Sequence, residues 1–88
     1  MSKTAYHITD HARDEAQRRN IPIDVLERLL EAPGQIVDVH SQRKAYQSLV
    51  EFDGKLFVVR AIVENTDPLT VITVYRTSKL AKYWSDES

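Results

Sequence analysis

The chain has no cysteine. That absence removes disulfides, thiolate metal ligands and cysteine nucleophiles together, and it suits a reducing, cytoplasmic setting. Glycine is almost as scarce: Gly34 and Gly54 are the only two. Both stand at turns, so no glycine-rich phosphate loop can be built. No apolar run approaches the ~20 residues of a membrane span, and the first ten residues lack the apolar stretch of a signal peptide. Neither sign of charge dominates, with 12 Lys and Arg against 13 Asp and Glu and a net charge of −1. A strongly basic nucleic-acid binder is therefore not indicated, and any RNA contact needs a local patch. No cofactor motif is present. The 88 residues make one domain over 1–88, with residues 1–8 as a lead-in and 85–88 as a frayed end. A chain this short buries roughly 60–65% of its unfolded surface, so its core is thin and a homodimer is one way to extend it.

What the sequence does have is a hairpin. Arg43 to Glu64 reads RKAYQSLVEFDGKLFVVRAIVE, two runs rich in β-branched and aromatic residues around Asp53-Gly54. That dipeptide suits a type I′ turn, whose two central residues both need positive φ. A two-residue loop there fixes the register. Phe52 faces Lys55, Val50 faces Phe57, Ser48 faces Val59 and Tyr46 faces Ala61. On the opposite face Glu51 meets Leu56, Leu49 meets Val58, Gln47 meets Arg60 and Ala45 meets Ile62. The first face is mostly apolar and belongs to the core. The second carries Gln47 and Arg60 side by side in mid-sheet.

Upstream, Thr9 or Asp10 caps a helix that runs to about Arg19 and has only Ala12 and Ala16 to bury. Its charges, Arg13, Asp14, Glu15, Arg18 and Arg19, read mostly as a solvated face. Asn20 can take a left-handed conformation and end it. A second helix starts near Pro22, with Asp24 in its first turn. Ile23, Leu26, Leu29 and Leu30 form its buried stripe, and Pro33-Gly34 ends it. Gln35 to His40 alternates as an edge strand, and Ser41-Gln42 turns into the hairpin. After a loop at Asn65 to Pro68, Leu69 to Arg76 is a β-branched strand. Thr77 to Trp84 is a last helical turn or an extended tail, anchored by Leu80, Tyr83 and Trp84. The order predicts an α+β fold: two N-terminal helices on one face of a four-stranded, mainly antiparallel sheet, with a short C-terminal helical tail. The other sheet face is then open, or covered by the tail or by a second subunit.

On the last strand Ile72 and Val74 fit the core side, which puts Thr73 and Tyr75 beside Gln47 and Arg60. The following turn supplies Arg76, Thr77, Ser78, Lys79 and Lys82. Metal-independent RNA cleavage uses these residue types. A base takes the 2′-OH proton, an acid protonates the 5′ leaving oxygen, and cations stabilise charge on phosphorus. Arg60 and Arg76 are candidates to hold phosphate, with Gln47, Lys79 and Lys82 as further RNA contacts and Tyr75 to stack or donate a proton. Plainer roles stand beside these. Arg60 can pair with Glu51 or Glu64, Tyr75 can pack on the sheet, and Thr77 can cap a last helical turn. Histidine is the residue type suited to proton transfer near neutral pH, so His11 is a candidate acid or base. His7 and His11 lie four apart across the helix start without a third ligand, and His40 is on a distant strand, so no metal site is expected.

His11-Ala12-Arg13, Arg18-Arg19-Asn20-Ile21, the Leu-rich helix closed by Ala32-Pro33, and the strand Val71-Ile72-Thr73-Val74-Tyr75-Arg76-Thr77 together resemble a family of small uncharacterised bacterial proteins. The resemblance spans roughly residues 7–84. Glu15 and Asn20 depart from it, standing where members often have arginine and glycine. The family is similar to BrnT and, more remotely, to the RelE/ParE toxins. It implies a compact α+β fold, ribonuclease activity of toxin–antitoxin type with an antitoxin partner, and roles for His11, Arg60, Tyr75 and Thr77. The other expectation is a non-catalytic module that uses the open face, Leu49, Val58 and Ile62 included, for a partner or for self-association.

Overall fold

A computed structural model of the chain describes residues 6–84; the expected frayed end at 85–88 and most of the lead-in lie outside the described residues. Asp53 and Gly54 take φ of 52° and 80°, as the type I′ turn requires. They join β3 (Arg43–Phe52) to β4 (Lys55–Glu64) in the register given above for all eight pairs. β2 (Gln35–His40) pairs antiparallel with β3 at one edge, and β5 (Leu69–Thr77) pairs antiparallel with β4. One strand is additional to the expected four. β1 (Tyr6–Ile8) lies parallel to β5, with Ile8 opposite Val71. The sheet is therefore five-stranded and mixed, in the order β1-β5-β4-β3-β2. Three residues are too few to show a period of two, so this stretch reads as lead-in from sequence alone.

Thr9 fixes how the chain leaves β1. Its hydroxyl caps α1 (Asp10–Arg18) by accepting from the Ala12 N–H at 3.1 Å, and donates to the Val71 carbonyl at 2.9 Å. One side chain thus satisfies a helix donor and ties the helix to β5. Ala12 and Ala16 are fully buried, so the small apolar stripe means close approach to the sheet rather than a solvated helix. Asn20 has φ 57° and ends the turn after α1 as the missing glycine would.

Glu15 is not on a solvated face. It is 6% exposed and receives Arg18 Nη1 at 2.7 Å and Arg19 Nε at 2.9 Å. The Arg19 hydrogen bond, then the charges of Arg18, Arg19 and His11, hold its carboxyl below the usual range against the opposing effect of burial. A depressed folded-state pKa adds stability above the unfolded value of about 4.3, and that stability is lost as pH falls through the folded value. Urea titrations are expected to show a smaller acid-side loss in Glu15→Gln than in the parent. Identical pH profiles would remove this role.

α2 (Ile23–Glu31) buries Leu26, Leu29 and Leu30. Ile23 does not join them. It is 37% exposed at the first helical position and lines an open cleft with Arg13, Gln17, Asn20 and Pro22. Both helices pack on one face of the sheet, against Val59, Ala61, Val63, Val71 and Val74. Ile72 is displaced from that core. Thr73 pairs with Ile62 but Val71 pairs with Val63, which leaves Ile72 as an extra residue in a bulge. The bulge resets the alternation, so Val71 and Val74 share the core side.

The opposite face is partly covered by α3 (Leu80–Tyr83) and Trp84. Among the described residues no helix is long and apolar enough to cross a membrane.

Candidate functional site

Strand pairing lines up four polar residues across the face opposite α1 and α2. Gln35 is registered on Gln47, Gln47 on Arg60 and Arg60 on Tyr75, one from each of β2, β3, β4 and β5. Such direct cross-strand neighbours lie about 5 Å apart, within reach of one another. Gln47 is fully buried. Its Nε2 donates to Gln35 Oε1 at 2.7 Å and to the Tyr83 carbonyl at 2.9 Å, while its Oε1 accepts from Arg60 Nε at 2.9 Å. A buried amide is tolerated when its polar atoms are met in this way. The network locks Arg60, whose Nη1 donates to the Tyr75 hydroxyl at 2.6 Å.

Two rings complete the setting. The Arg60 guanidinium carbon lies 4.7 Å from the Tyr83 ring centre and 5.7 Å from that of Tyr75. The two rings meet edge to face at 6.3 Å. Neither Glu51 nor Glu64 pairs with Arg60; they stand opposite Leu56 and Arg43 at the two ends of the hairpin. Among the described residues no carboxylate lies within ion-pair distance of it. Arg60 is half-buried, and its Nη2 makes no hydrogen bond to a described residue. A guanidinium withdrawn from water usually has an anion beside it. Its hydrogen-bond partners among the described residues are neutral, Gln47 and Tyr75, and a guanidinium so placed is chemically able to receive an oxyanion.

The remaining sequence candidates divide between the two faces. Thr77 stands two residues from Tyr75, opposite Val58, and its hydroxyl accepts from the Lys79 N–H at 3.1 Å. It therefore organises the turn into α3. Lys79 is exposed just before α3, and Lys82 Nζ lies 5.3 Å from the Tyr83 ring centre. Arg76 is not with Arg60. It points to the helix-bearing side and sits 4.5 Å from Phe52 and 4.7 Å from Phe57. His11 is exposed in the first turn of α1, a helix packed on the helix-bearing face, so it is not brought to Arg60 either. Among the described residues no group of three His, Cys, Asp or Glu side chains could hold a metal.

Sequence reasoning did not place Gln35 and Tyr83 in this site. Gln35 was legible in principle, because extending the hairpin register by one strand sets it against Gln47. Tyr83 was not, since its position depends on how the chain turns after β5.

No curated protein and no solved structure matches the chain. One family does, over residues 8–76, a span that includes α1, α2, the hairpin and Arg60 and Tyr75 but stops before α3. The chain belongs to the family described as the domain of unknown function DUF4258.

Proposed function

We propose that this chain is a toxin-type RNA-binding domain and a metal-independent endoribonuclease, with Arg60 as its phosphate anchor. The observation that carries the reading is the state of Arg60: oriented by Gln47 and Tyr75 and without a carboxylate among the described residues. A planar guanidinium with a donor unused among the described residues matches phosphate oxygens, and the Tyr75 ring beside it suits a nucleobase. The resemblance to a family of small bacterial proteins that is similar to BrnT and, more remotely, to the RelE/ParE toxins supports the same direction. In cleavage the 2′-hydroxyl attacks phosphorus and releases its proton to water. Arg60 takes up the charge on the phosphoryl oxygens, and the Tyr75 hydroxyl protonates the departing 5′ oxygen. His11 and Arg76 stand on the other side of the sheet and have no part in this scheme. The test is incubation of single-stranded RNA with the protein in EDTA. Fragments from the parent and none from Arg60→Ala are expected; intact RNA with the parent overturns the cleavage reading.

A second reading has its own observation. Leu49 and Leu56 are 39% and 42% exposed on the same face, and Leu49 borders a cleft of about 320 Å³ with Leu80, Ala81 and Trp84. Such a patch fits self-association. Val58, expected to share in it, is fully buried and unavailable. On this reading Leu49→Glu converts a dimer to a monomer in light scattering; a parent that is already monomeric at high concentration removes it.

A further inference from the structure

We propose that α3 with Trp84 is a hinged cover over Arg60, closed in the resting chain and displaced by the RNA that binds there; this rests on the RNA-binding reading above. Four residues are too few for a helix to persist by itself. The place of α3 is therefore set by its contacts, and none of its residues is buried. The contacts that hold it are those of the site. Gln47 Nε2 donates to the Tyr83 carbonyl, and the Tyr83 ring centre lies 4.7 Å from the Arg60 guanidinium carbon, in space beside Arg60 that a nucleobase or sugar would need. The cover is latched at its far end, where Trp84 Cη2 lies 2.9 Å from the point at which a Cβ on Gly34 would stand. Any larger residue at Gly34 collides with the indole. The hinge is Ser78-Lys79, both exposed, between the last residue of β5 and α3. Segments with few buried contacts open at the low end of the free-energy scale. An RNA that binds only the open form has its apparent affinity reduced by the fraction of chains that are open.

Trp84 is the only tryptophan in the chain, so its emission reports the cover directly. The full-length protein is titrated with a labelled oligouridylate, and binding is followed by anisotropy and by tryptophan emission. Saturating RNA is expected to move Trp84 emission towards that of a water-exposed indole. Gly34→Ala, which pushes the latch away, is expected to show the red-shifted emission without RNA and to bind at least about threefold more tightly, the gain that follows when a mostly closed equilibrium is opened. Tyr83→Ala is a second route to the open form and is expected to tighten binding likewise, which keeps the test sound if Gly34→Ala folds poorly. Arg60-dependent binding with unshifted Trp84 emission and no tightening in either variant overturns the cover and leaves the RNA-binding reading intact. No binding by the parent or by either opened variant overturns both. Binding by the opened variants alone supports both.

Discussion

Gln47→Leu is expected to lower the stability of the fold by about 2–4 kcal/mol, although leucine has nearly the volume of glutamine. The substitution removes three hydrogen bonds at once and leaves the Tyr83 carbonyl and Arg60 Nε each short of a partner. An unmet buried polar group costs about 1–3 kcal/mol, and one belonging to a charged side chain costs more. The full sum is not expected, because Arg60 and Tyr83 are half-buried and regain some water. Urea denaturation checks this, with a lower midpoint at an unchanged slope. The same variant frees α3, so native-state Trp84 emission is expected to move to the red before global unfolding begins. A loss under about 0.5 kcal/mol, the ordinary range for surface substitutions, would show that the network does not hold the site together.

The second large effect concerns RNA. Arg60→Ala is expected to weaken binding of single-stranded RNA by about tenfold to a hundredfold at low salt, since a hydrogen bond to a charged group contributes about 1.5–3 kcal/mol and each 1.4 kcal/mol is tenfold. Arg60→Lys retains the charge but loses the planar fork and the simultaneous bonds to Gln47 and Tyr75, and is expected to recover only part of the loss. Gln47→Glu supplies from within the chain the carboxylate that Arg60 lacks among the described residues; at neutral pH it should weaken RNA binding as strongly as Arg60→Ala. Arg76→Ala is the control. Arg76 carries the same charge one residue from Tyr75 but stacks on Phe52 and Phe57 across the sheet, so its removal is expected to leave RNA affinity within about twofold. Measured by anisotropy in EDTA over a range of salt, the binding slope should also flatten in Arg60→Ala as one phosphate contact is lost.

The elements read correctly from sequence are those fixed by short-range chemistry. Asp53-Gly54 dictates the hairpin turn, the turn dictates the register, and the register alone brings Gln47 to Arg60. Thr9, Asn20 and the Leu26, Leu29, Leu30 stripe were legible for the same reason. What escaped was set at long range. β1 is too short to carry a pattern and exists because it pairs with β5, more than sixty positions away in the chain. The bulge at Ile72 depends on how β5 meets β4, and it exchanges Ile72 for Val71 in the core. Alternation along β5 does place Arg76 on the face opposite Tyr75, and reading it as part of a shared rim overrode that signal. Glu15 read as solvated because composition shows its charge but not the two arginines folded onto it. The cover is the least legible part of the site. It hangs on one carbonyl accepting from Gln47 and on the absence of a side chain at Gly34.

The measurement that bears most directly on Arg60 as a phosphate anchor is the affinity of the full-length parent, Arg60→Ala and Arg76→Ala for one single-stranded RNA, in EDTA and at low salt, with each variant first shown to be folded. The expected result is a loss of about tenfold or more for Arg60→Ala alone. Equal affinities for all three, or a loss confined to Arg76→Ala, would contradict it.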